Sequence, residues 1–157
     1  MPLRMTRDLC TGIETIDEQH SAMVDYINGL ESAIGGGDER VVGLVLERLS
    51  DYSIFHLRYE EELMEQATYP YLKPHKAIHD LFVKRLESYQ QRYLDGENVA
   101  QELHGVLANW LVQHIKQTDM AYVSHLEQAR TVIEKRDPFS RIGQSLKHFF
   151  GGNKRLM

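Results

Sequence analysis

Two pairs of residues, His56/Glu60 and His75/His79, are spaced four apart. Positions four apart share one face of an α-helix, so each pair can bring two metal-binding atoms to one point. His20 and His114 fall on apolar stripes elsewhere, and Asp119 follows His114 by five. Eight histidines against one cysteine, Cys10, favour a nitrogen and oxygen site over a thiolate one, with iron, zinc, copper and manganese all candidates. Seven donors exceed what a tetrahedral zinc takes. Two six-coordinate ions use them fully, since five imidazoles, two carboxylates that each span both ions and one bridging oxygen leave a single open position.

One such pair arises readily by chance, and a lone inward histidine is usually a hydrogen-bonded core group. A donor on the inner stripe of four helices at once is different, because each unpaired polar side chain buried there costs on the order of 1–3 kcal/mol. A bound metal offsets that cost.

The elements that position these donors are marked by their breaks: Gly35-Gly36-Gly37, the Tyr69-Pro70 region and the Asp95-Gly96 turn. A first helix is expected over about 17–34, with His20 in the stripe Ile16, Met23, Ile27, Leu30, Ile34 and the glycines as its stop. A second starts after Asp38, a natural N-cap, and its stripe Val42, Val45, Leu49, Tyr52, His56, Glu60, Leu63 includes two donors. The third, about 71–94, tolerates Pro74 only in its first turn and runs Leu72, His75, His79, Phe82, Leu86, Tyr89, Tyr93. The fourth, about 98–116, runs Val99, Leu103, Leu107, Trp110, Leu111, His114, Ile115. Five steps of about 100° would leave Asp119 roughly 140° from His114 in a regular α-helix, so the helix must end or bulge between them. Short connections force neighbouring helices to run antiparallel. The expected fold is all-α, an up-down-up-down four-helix bundle over 1–126 with a C-terminal helical extension over 127–157. In such a bundle the early part of the first helix, the late part of the second, the start of the third and the end of the fourth share one level, and all the donors sit there.

Composition narrows the function. The 157 residues, 42% apolar and 26% charged, suit one globular domain. A net charge of −5 argues against a nucleic-acid surface. No apolar stretch approaches the roughly 20 residues of a membrane span, and the opening MPLRMTRDLCTGIE has no apolar core of a signal peptide. With a lone thiol, a cytoplasmic location is expected.

The donor set resembles the hemerythrin family, and specifically the bacterial hemerythrins: His20 in IDEQH, His56 and Glu60 in HLRYEEELM, Tyr69-Pro70 followed by HKAIH for His75 and His79, and WLVQHIKQTDMAY for His114 and Asp119. The likeness covers about residues 10–125. It implies two iron ions in a non-haem centre with an oxo or hydroxo bridge. His75, His79 and His114 would hold one ion and His20 and His56 the other, with Glu60 and Asp119 bridging. The ion with two histidines would keep the open position for dioxygen, bound reversibly for storage, sensing or delivery to an oxygen-consuming enzyme as partner. Leu111, Ile115, Phe55, Trp110 and Met23 are the expected lining of a dry pocket, with Leu111 and Ile115 best placed beside His114 and with Phe55, Met23 and Trp110 read equally well as plain core packing. Saturated histidine ligation implies a binder rather than an enzyme. The rival di-iron oxidases and peroxidases of the ferritin-like class carry Glu-x-x-His motifs, and this sequence has none. A protein that handles iron or nitric oxide would use the same donors.

Other groups are expected to do less. Tyr59, Tyr69 and Tyr122 are expected to pack, or else to hydrogen-bond ligand nitrogens, and His104, His125 and His148 to lie off the four-helix seam or outside it, in solvent. Of Glu60-Glu61-Glu62, only Glu60 is expected to face inward, its neighbours meeting water. From Asp137 onward, Phe139, Ile142, Leu146, Phe149 and Phe150 share a helical face, and four basic residues against one acidic give +3, against −8 for the rest. Docking on the acidic body or a second copy is the favoured reading of that segment, ahead of a membrane surface.

Overall fold

Gly37 ends the first helix as the glycine triplet requires: its φ of +71° suits a residue with no side chain, and its N–H returns to the carbonyls of Ala33 and Ile34. In the computed structural model, which describes residues 1–136 and their side chains to 128, this helix is α1, Glu14–Gly36. Asp38 then caps α2, Glu39–Gln66, accepting from the Arg40 N–H at 3.0 Å. Helix α3 spans Leu72–Leu94, with Pro74 in its first turn, and α4 spans Ala100–Gln113. No strand occurs among the described residues, and none of their helices is long and apolar enough to cross a membrane. The amphipathic segment after Asp137 lies outside the described residues.

The fourth rod does not stop at residue 116. A π-helical stretch, His114–Asp119, joins α4 directly to α5, Met120–Arg136, so the chain bulges rather than ends between the two donors. The i→i+5 pattern of a π turn inserts one extra residue and turns Asp119 onto the face of His114. Helix α1 packs on α2 and α4, and α2 on α3, while Phe82 of α3 stacks on Trp110 of α4 and the Tyr89 hydroxyl donates to Glu102.

Burial divides the interior along the axis. The main apolar cluster includes Met23, Ile27, Leu49, Leu57, Phe82, Leu107, Leu111 and Ile115. A second includes Ile13, Ile16, Leu63, Met64, Tyr69, Tyr122, Val123 and Leu126. His20 lies between Ile16 and Met23, Glu60 between Leu57 and Leu63, and Asp119 between Ile115 and Tyr122. The donors thus form a polar layer between two apolar ones.

The N-terminal segment is tied to α1 ahead of His20. The Asp17 carboxylate accepts from the Thr11 N–H at 2.7 Å, the Thr11 hydroxyl at 2.8 Å and the Gly12 N–H at 3.1 Å. Hydrogen bonds to a charged acceptor are worth roughly 1.5–3 kcal/mol. Asp17→Ala is therefore expected to lower the urea midpoint by an amount equivalent to about 2 kcal/mol with an unchanged m value.

Candidate metal centre

His20, His56, Glu60, His75, His79, His114 and Asp119 come from α1, α2, α3 and the π stretch, and all are buried. Their donor atoms fall into two groups, each with atoms within 4.8 Å of one another: Glu60, His75, His79, His114 and Asp119 in one, His20, His56, Glu60 and Asp119 in the other. The two carboxylates belong to both.

Each carboxylate divides its oxygens between the groups. Glu60 Oε1 lies 3.3 Å from His56 Nε2 and 3.8 Å from His20 Nε2, while its Oε2 lies 3.5 Å from His79 Nε2 and 3.6 Å from His114 Nε2. Asp119 Oδ2 is 3.2 Å from His20 Nε2, and its Oδ1 is 2.9 Å from His114 Nε2 and 3.8 Å from His75 Nε2. The π turn is what allows this second division, since it puts His114 and Asp119 on one face.

Among the described residues, eight buried side-chain atoms have no hydrogen bond of good geometry, although imidazole and carboxylate atoms crowd together there: both ring nitrogens of His20, His56 Nε2, His75 Nε2, His114 Nδ1, Glu60 Oε2 and both oxygens of Asp119. Every one belongs to this cluster. Native interiors rarely leave such atoms unpaired. The ring nitrogens His79 Nε2 and His114 Nε2 lie 3.2 Å apart, close enough to share a proton or to turn toward one cation.

The electrostatics point the same way. Burial pulls the His114 and His20 pKa down, but the neighbouring Asp119 and Glu60 carboxylates outweigh it and lift them to about 10 and about 9. Burial pushes Glu60 upward, yet His56, His114 and His20 hold it well below the carboxylate range. Asp119 is likewise held low by His114 and His20, against burial and the charge of Glu60. His75 is drawn down to about 4 by burial and by His79 beside it. Two ionised carboxylates in a dry layer thus demand positive charge, which protons on imidazole or metal cations can supply. The residues present fit metal cations: hard oxygen and imidazole nitrogen donors, two carboxylates placed to be shared, and no thiolate.

Around the cluster, three contacts fix orientation. His56 Nδ1 donates to Gln19 Oε1 at 2.8 Å, His79 Nδ1 to Glu61 Oε1 at 3.0 Å, and the fully buried Tyr122 hydroxyl to Glu60 Oε1 at 2.8 Å. Tyr122 thus bonds a carboxylate, where sequence reasoning had it packing or bonding an imidazole. Its pKa is raised well above the ordinary value by burial and by Glu60 and Asp119, so it stays a donor. Glu61 corrects the expectation that both neighbours of Glu60 meet water: only 15% of its side chain is exposed, and Lys76 Nζ holds its second oxygen at 3.1 Å. Glu62 is exposed as expected. Gln19 and Glu61 were missed, although Gln19 is in register with Ile16 and Met23, and Glu61 with Leu57 and Met64.

Of the expected pocket lining, Leu111, Ile115 and Met23 are fully buried in the main core. Trp110 is half-buried and stacks on the His114 ring, with centroids 4.3 Å apart, and on Phe82. Phe55 is a correction. It stands 54% exposed on the outer side of α2, against Tyr52 and Tyr59, because it precedes inward His56 by one step of about 100°. His125 is off the cluster but not fully solvated: its Nε2 lies 3.2 Å from the Ala67 carbonyl oxygen and its ring 5.3 Å from that of Tyr69. His104 is half-buried and outside both donor groups, and His148 lies outside the described residues.

Residues 11–126 match the family described as hemerythrin HHE cation binding domain. A bacteriohemerythrin of Pseudomonas aeruginosa (strain LESB58) is 39% identical over 145 residues, 92% of this chain and 95% of that protein. One of Stenotrophomonas maltophilia (strain R551-3) is 37% identical over 148 residues, with the same two shares. A wild-type hemerythrin crystal structure superimposes with a TM-score of 0.75 at 28% identity, over 79% of this chain and 97% of that one.

Proposed function

The chain belongs to the hemerythrin family, and from that premise we propose that it binds dioxygen reversibly at a non-haem di-iron centre built from the seven buried donors. The carrying observation is the division of each carboxylate between two donor groups. In this reading His75, His79 and His114 hold one iron, His20 and His56 the other, and Glu60 and Asp119 are shared. The first group offers five protein donors and the second four, so the second would leave room for the guest. Bound there, ferrous ions would supply the electrons that reversible dioxygen binding requires.

The chain's own residues do the rest. Tyr122 holds Glu60 by the oxygen that faces His20 and His56, fixing the carboxylate's tilt. Gln19 and Glu61 accept from the outer nitrogens of His56 and His79, which turns the Nε2 lone pairs inward. Leu111, Ile115 and Met23 exclude water beside the donors, and in a low-dielectric surround a bound guest is less readily protonated and lost. Trp110 limits rotation of the His114 ring by stacking on it. Binding rather than turnover follows from a site rich in imidazole, and delivery to an oxygen-consuming enzyme is the partner this reading proposes.

The test is optical. Ferrous protein, colourless under argon, is expected to gain a visible charge-transfer band on exposure to air and to lose it again on purging, over repeated cycles. A band that decays irreversibly with release of peroxide would support an oxidase instead.

A further inference from the structure

Two histidines of the cluster lean on acceptors of different charge. His56 Nδ1 donates to the neutral amide of buried Gln19, whereas His79 Nδ1 donates to the Glu61 carboxylate. A carboxylate that accepts from an imidazole N–H pushes electron density into the ring and makes the opposite nitrogen a stronger metal donor, while a neutral amide orients the ring with less effect on its basicity. Glu61 does not act alone. Its other oxygen meets Lys76 Nζ at 3.1 Å, and Lys76 also reaches Asp80 at 3.3 Å. The Glu61 charge is therefore divided between an imidazole on its inner side and a surface ammonium, 45% exposed, on its outer side.

We infer that Glu61 is a positioning residue that grades the two metal positions, strengthening the one that includes His79, with Lys76 as a surface counterweight that moderates it. This rests on the metal-binding reading above and deepens it. The grading belongs to one position only, because His79 is a member of one donor group and absent from the other. Glu61 itself would touch no metal: its Oε1 is occupied by His79 Nδ1 and its Oε2 by Lys76.

Competition between a chelator and the full chain loaded with Co(II) resolves the two binding steps. Glu61→Gln keeps the planar shape and an acceptor oxygen but removes the charge, and is expected to weaken one step about 10–100-fold while leaving the other unchanged. Lys76→Met removes the counter-charge and is expected to tighten that same step. A merely structural part for Glu61 would not give opposite signs confined to one step. The inference is overturned if Glu61→Gln matches the wild type in both steps, or if the two variants shift affinity in the same direction. Wild-type chain that takes up no Co(II) would instead overturn the metal-binding reading itself.

Discussion

Iron-loaded protein is expected to unfold far above the metal-free chain. Without metal, eight buried polar atoms make no hydrogen bond of good geometry and two carboxylates in a dry layer are balanced only by protons on the neighbouring imidazoles; an unsatisfied buried atom costs on the order of 1–3 kcal/mol. A ligand that binds only the folded state returns that loss through mass action. At a free concentration a thousandfold above its Kd it contributes about 4 kcal/mol, and each kcal/mol moves the Tm of a chain this size by about 2–4 °C, for a rise of roughly 8–16 °C. Calorimetry under argon, with and without a chelator, measures it. Equal melting temperatures would mean that the cluster holds no metal.

Glu60→Ala is expected to empty both positions at once. Its oxygens serve opposite groups, Oε1 beside His20 and His56 and Oε2 beside His79 and His114. Losing them removes a donor from each, together with the acceptor of the Tyr122 hydroxyl. His79→Ala removes a donor from one group alone. Metal analysis of folded, ferrous-loaded variants should therefore show less than one iron per chain for Glu60→Ala, with affinity down by more than about a hundredfold. His79→Ala should keep the iron near His20 and His56. Identical losses in the two variants would contradict the shared role given to Glu60.

Much of this was legible in the sequence, and what was not has physical reasons. Stripe spacing located α1 to α3 to within a few residues, because each presents one apolar face to the core and has a glycine, proline or capping aspartate at an end. The five-residue step from His114 to Asp119 required a departure from α geometry, but spacing alone did not choose between an end and a bulge. The structure has the bulge, a π-helical stretch in a continuous rod that buries Leu111 and Ile115 in one cluster and Tyr122, Val123 and Leu126 in the other. Gln19 and Glu61 escaped notice because each adjoins a donor in the chain and reaches a different donor across the bundle, a contact set by side-chain rotamers. Phe55 was expected in the lining, but it stands one residue before inward His56, and one step along a helix faces elsewhere.

Seven side chains are proposed to hold two ions. Iron per folded chain, counted after anaerobic loading with ferrous iron and removal of the excess, tests this most directly. Two are expected, whereas a saturated count of one, or none in a chain that remains folded, would contradict it.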